Sequence, residues 1–160
     1  MRIKNIEFKM PRYNEIPNVG LYLEQVVKYI NQCIEPLHIS ITSSMLSNYV
    51  KKGYVKGPTK KLYYADQIAY LLFISIVKQT LSMQNIQILF DLQQKTHTSK
   101  EAYNYFCNEL ETGLHNIFEG NNASPVADNM DFAKKTLTSV VIAISHIIYL
   151  NFCFEQLDSE

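Results

Sequence analysis

The sequence predicts an all-α, mostly helical fold, in which a winged helix-turn-helix with a small hairpin wing precedes a C-terminal helical segment. Three observations carry that prediction. Apolar residues recur with the helical period along most of the chain from Leu21 to Leu157. A single short span, Tyr54 to Tyr64, breaks the period with a Gly57-Pro58 turn between two segments short enough to pair as a hairpin. The composition, 47% hydrophobic and 19% charged over 160 residues, is that of a globular chain that buries a core, which excludes a disordered one.

Residues 1–19 hold Pro11 and Pro17 and no sustained period, so they are expected as an extended arm that ends at Gly20. Tyr22, Val26, Tyr29, Ile30 and Cys33 then share one face of a first helix that must stop before Pro36. After a short connector, Thr42 is placed to cap a second helix that runs to about Lys52 and is closed by Gly53. The wing follows. Ala65 to Thr80 is apolar around its whole circumference and is expected to be central and buried, and Ser82 starts a shorter helix with Met83, Ile86, Leu89 and Phe90 inward. Two further helices are expected, from about Ser99 to Phe118 and from about Val126 to Leu157. The resulting organisation is an arm (1–19), a winged helix-turn-helix DNA-binding domain (20–92) and a C-terminal helical segment (98–157).

A formal net charge of zero conceals a division of charge. Residues 1–80 carry eleven Lys and Arg against five Asp and Glu, and residues 81–160 carry four against ten. The basic half suits a polyanion. Within it, the second helix turns Met45, Leu46, Tyr49 and Val50 to one side and Ser44, Ser47, Asn48 and Lys51 to the other, with Ser43 and Lys52 at the margins. Small polar side chains let a helix approach base edges closely. Asn48 has the amide that pairs with adenine, Ser44 and Ser47 bond to either kind of base edge, and Lys51 reaches guanine or phosphate. Lys51, Lys52, Lys56, Lys60 and Lys61 place five cations in eleven residues with no acid between them. Tyr49, Tyr54, Tyr63 and Tyr64 suit either the sugar-phosphate backbone or the core of the hairpin.

The run Thr42-Ser43-Ser44-Met45-Leu46-Ser47-Asn48-Tyr49-Val50-Lys51-Lys52-Gly53-Tyr54-Val55, followed by Lys61-Leu62-Tyr63-Tyr64 and by the apolar Ile68 to Ile74, resembles the DNA-binding domain of MerR-type regulators. Ser82-Met83-Gln84-Asn85-Ile86 matches the short helix that comes next in that pattern. More closely, residues from about Pro11 to Phe90 resemble the bacterial family described as domain of unknown function 1836, through Asn48-Tyr49-Val50-Lys51 and Leu71 to Gln79. The resemblance implies a dimer on two half-sites, with Ser44, Ser47, Asn48 and Lys51 facing DNA and Lys60, Lys61 and Tyr63 in the wing. Where MerR-type proteins carry Arg-Tyr-Tyr, this chain has Ser47-Asn48-Tyr49, and its wing is shorter.

Nothing in the sequence calls for a cofactor or a metal, and no enzyme is expected: GxGxxG, P-loop, HExxH and GxSxG patterns are all missing. Glu111 and His115, four apart on one helix, have no third ligand and read as a surface pair. Cys33, Cys107 and Cys153 form no CxxC and read as reduced apolar residues, which with a polar N-terminus points to the cytoplasm. Leu137 to Phe154 is too short and too polar for a comfortable membrane span. The seven-residue spacing of Leu137, Ile144 and Asn151 fits a dimer seam or burial within one subunit. The expected function is therefore a DNA-binding transcriptional regulator, binding double-stranded DNA as a homodimer through its C-terminal helices. The alternative is a protein-interaction module that keeps the helix-turn-helix architecture without binding DNA.

Overall fold

Six α-helices carry the fold among the residues that the computed structural model describes, 3–121 and 130–160. Helix α1, Leu23–Ile34, buries Val26, Ile30 and Ile34 at four-residue spacing and gives way to a 3-10 turn, Glu35–Leu37, as Pro36 enters. It starts two residues after the expected Leu21, because Gln25 folds back to accept the Tyr22 N–H at 2.8 Å and fixes the chain entry there. The connector to the second helix is held by Asn31, which donates to the Ile41 carbonyl at 3.0 Å and accepts the Ile41 N–H at 2.8 Å. One side chain thus satisfies two backbone groups that have no ladder to join.

Helix α2, Ser43–Lys51, begins where Thr42 Oγ1 accepts the Met45 N–H at 3.2 Å and ends at Gly53, whose φ of +80° turns the chain away. Helix α3, Ala65–Val77, has nine buried residues, as its uniformly apolar sequence requires of a central helix. Helices α4, Met83–Gln94, α5, Ser99–Phe118, and α6, Phe132–Asp158, each start on a side-chain cap, from Ser82, Thr98 and Asp131 respectively. The last helix, expected from about Val126, starts at Phe132 because Asp131 caps it there, with Met130 and Asp131 non-helical; residues 126–129 lie outside the described ones.

The expected hairpin wing is not formed. Among the described residues there is no strand, only two isolated antiparallel bridges, Thr59 with Leu62 and Leu21 with Tyr63. Competing partners for the same backbone groups defeat the ladder. Gln67 Nε2 takes the carbonyls of Lys56 and Gly57 at 3.0 and 2.8 Å, and Pro58 has no N–H to give. On the other side, Tyr63 exchanges both backbone hydrogen bonds with Leu21, at 2.8 and 2.9 Å. The reversal consequently falls at Lys60-Lys61, not at Gly57-Pro58.

The N-terminal arm is extended as expected, but it is packed along α5. Asn5 bonds to Glu119, the Met10 N–H to Glu111 at 2.9 Å and the Tyr13 N–H to Asn104 at 2.9 Å, so the two run antiparallel. Ile3, Met10 and Ile16 are buried by this contact and join one continuous core that reaches Ile148. Helices α5 and α6 run parallel: Tyr105 bonds to Thr138 at 2.8 Å, a Cβ at Gly113 would stand 2.7 Å from Ser145 Oγ, and Phe118 packs edge-on against Tyr149 and Phe152. Gly113 is what permits that approach.

Candidate nucleic-acid interface

Leu46, fully buried, and Tyr49, 8% exposed, hold α2 against the core, and this burial determines what the opposite face shows. Ser44, Ser47, Asn48, Lys51 and Lys52 are on that face, Ser47, Asn48, Lys51 and Lys52 exposed and Ser44 in the row with them. Ser43 is half-buried at the edge and donates to the Glu24 carboxylate at 3.0 Å, so it ties α2 to α1 and is less free to meet a ligand. Lys56, Lys60 and Lys61 are exposed in the segment that follows.

Lys60 and Lys61 have φ of +50° and +67°, and the turn is closed by Thr59 and Leu62 exchanging N–H to carbonyl bonds at 3.0 and 2.9 Å. A two-residue reversal with both central φ values positive is a type I′ turn, whose usual occupants are Asn-Gly or Asp-Gly. Placing two lysines in it strains the backbone and sets two cations side by side at an exposed tip.

Tyr63 departs from expectation. Its side chain is 4% exposed and burial pushes its phenol pKa up, so the ring belongs to the core beneath the turn and does not project from it. The residues expected on α2 therefore share one surface and the lysines share another close by in sequence, whereas Ser43 and Tyr63 serve structure.

Three positioning residues carry little sign of their role in the sequence. Gln67 anchors the base of the lysine segment through Lys56 and Gly57, and Asn31 fixes the approach to α2. A polar amide at the third position of a helix is the only sequence sign of Gln67. Arg12 is the third: its guanidinium grips Glu111 at 2.5 and 3.1 Å and Asn108 at 2.7 Å. The hydrogen bond to Glu111 raises the Arg12 pKa. Burial alone would raise the Glu111 carboxyl, but the bonds from Arg12 and the Met10 N–H outweigh it and hold the carboxyl below its ordinary range. Glu111 is thereby committed to Arg12 and not to His115.

Helix α6 carries two apolar seams. Leu137, Val141, Ile144 and Ile148 are buried inside the subunit, which assigns the Leu137–Ile144 spacing to intrachain packing, while Asn151 is exposed. The second seam is Val140, Ala143, Ile147, Leu150, Phe154 and Leu157, spaced alternately by three and four; Leu150, Phe154 and Leu157 are 42, 59 and 54% exposed. By length and composition α6 also meets the requirement for crossing a membrane, a test that buried core helices of globular proteins pass too. At its C-terminal end His38 stacks on Phe152 with centroids 4.1 Å apart and lies 2.6 Å from Glu155, joining the two halves of the chain.

Fold and site together define an all-helical protein in which a polar-faced helix packed on α1 and a lysine turn precede a long C-terminal helix pair. Residues 11–106, more than half the chain, match the domain of unknown function family (DUF1836), and the protein belongs to that family. The matched segment contains α1 to α4 and the first turns of α5, and leaves α6 outside. No curated protein and no solved structure matches the chain.

Proposed function

We propose that this protein is a cytoplasmic DNA-binding transcriptional regulator with a MerR-like arrangement, whose α2 enters the major groove while the Lys60-Lys61 turn takes the place of the wing on phosphate. The observation that carries this reading is the outward α2 face, on which Ser44, Ser47, Asn48 and Lys51 stand together with no acidic residue among them. Lys52, Lys56, Lys60 and Lys61 extend the same positive character to the residues that flank a groove. The outer seam of α6 supports a homodimer, since a surface stripe at coiled-coil spacing is suited to a second copy of itself.

Titration of the protein into labelled genomic duplex at several salt concentrations tests the proposal. Binding is expected to weaken steeply with salt, and removing Lys60 and Lys61 should lower the slope of log K against log salt by about 0.9 for each phosphate no longer neutralised. Asn48→Ala should cost about 1–3 kcal/mol on a selected fragment and little on random duplex. Failure to bind any duplex at low salt would transfer the exposed face to a protein partner.

A further inference from the structure

Behind the lysine segment lies a cavity of about 260 Å³. Its walls are aromatic and aliphatic: Tyr70, Phe73 and Phe90 from α3 and α4, Tyr103 and Phe106 from α5, and Leu137 from α6. Tyr70 lies against Phe90 with centroids 4.3 Å apart, and Phe73 meets Phe106 edge-on at 4.8 Å, so the cavity offers an occupant ring edges and faces at once. Surfaces of this kind hold water poorly and favour another ring. The volume is well above that known to admit benzene in an apolar cavity, about 150 Å³, and below the range of drug-sized sites, about 300 Å³ upward. One or two fused rings fit between those limits.

The polar groups at this cavity select the ligand's charge and edge. Lys56 and Asp66 border it as one cation and one anion, with Asp66 already accepting the Tyr13 hydroxyl, so the rim has no net charge and favours a neutral molecule. The Tyr103 hydroxyl is occupied by the Pro11 carbonyl at 2.7 Å. Gln93 is 5% exposed and gives one Nε2 hydrogen to the Ala133 carbonyl at 2.8 Å, which fixes the amide and leaves its oxygen as an acceptor at the cavity wall. The opposite wall is Tyr54, Val55 and Lys56, directly before the lysine turn, and Gln67 at the same wall holds the Lys56 and Gly57 carbonyls.

We infer that this cavity is a binding site for a neutral planar aromatic molecule of one or two rings that donates a hydrogen bond to Gln93, and that its occupancy is felt at Lys56 and Gly57. An occupant touches the exit of α2 and the C-terminal helices simultaneously, which is the geometry needed for a ligand to bias the lysine turn. Any consequence for DNA rests on the function proposed above; binding itself does not.

Indole is the probe, because the chain contains no tryptophan and indole excited beyond the tyrosine band reports only on itself. Its emission is expected to shift to the blue and saturate with the full-length protein, with a Kd of about 10–500 µM, an affinity suited to a ligand of this size. Benzofuran, which lacks the N–H, should compete about tenfold more weakly. Ala102→Phe fills the cavity and should abolish the shift, while amide resonances of Ala69, Ala102 and Gly57 in the wild-type protein should move with indole. No saturable shift up to about 5 mM indole, or a resonance map that avoids these residues, overturns the site. Equal competition by benzofuran overturns the role of Gln93. If Ala102→Phe does not fold, the wild-type resonance map decides. Indole binding by a protein that binds no duplex would sink the DNA reading and leave this site standing.

Discussion

Lys60 and Lys61 occupy positions where the backbone favours Asn and Gly, and the left-handed conformation costs a long side chain roughly 1 kcal/mol at each. Replacing the pair (Lys60→Asn with Lys61→Gly) should stabilise the fold by about 1–2 kcal/mol, raising Tm by several degrees in a chain of this size. The same variant should bind duplex less tightly, so thermal melting and DNA titration are expected to move in opposite directions. A fall in Tm would mean that the lysine side chains stabilise the turn by interactions of their own. At this scale the α2 face is legible because it needs only the helical period: once Leu46 and Tyr49 point inward, Ser44, Ser47, Asn48 and Lys51 must point outward. Tyr63 is not legible. Alternation in a short hairpin puts it on either side, and what buries it is pairing with Leu21, forty-two residues earlier in the chain.

Among the elements, helix starts are the best specified, since a Ser, Thr or Asp cap acts within four residues; Thr42, Ser82 and Thr98 all cap as local chemistry requires. The wing and the arm are the least specified, because both are decided by distant partners. Gln67 reaches from α3 to take the carbonyls a ladder would use, and Glu111 reaches from α5 to fasten the arm. The arm contact carries a pH dependence of definite sign. Glu111 has a folded pKa depressed below its ordinary 4.5, so its contribution is fully present above that value and is lost as pH falls through the folded one. Glu111→Gln should therefore cost about 1–2 kcal/mol near neutrality, with the gap between wild type and variant closing below about pH 4.5. Urea denaturation of both proteins across about pH 3–7 checks it, and a gap that persists at the acid end would assign the effect to packing instead of charge.

For the whole molecule, two stripes of α6 divide its apolar surface between the subunit's own core and the proposed dimer contact. Burial of Leu137, Val141, Ile144 and Ile148 against α5 leaves Leu150, Phe154 and Leu157 outside on a helix about 40 Å long. Leu150→Asp with Phe154→Asp should convert a dimer to a monomer in light scattering and leave the helical circular dichroism intact; an unchanged mass would remove the proposed seam. By itself the sequence determined the all-helical class, the presence and order of all six helices and the separation of a basic from an acidic half, because period, caps and composition are read from residues close in the chain, although α1, α3 and α6 are each shorter at one end than the period implied. Only the tertiary structure decided that the wing collapses to a turn, that the arm lies on α5, that α5 and α6 run parallel and that an aromatic cavity sits between the halves. Each of these depends on which groups far apart in the chain compete for the same hydrogen bond or the same buried surface, and that competition is settled by packing.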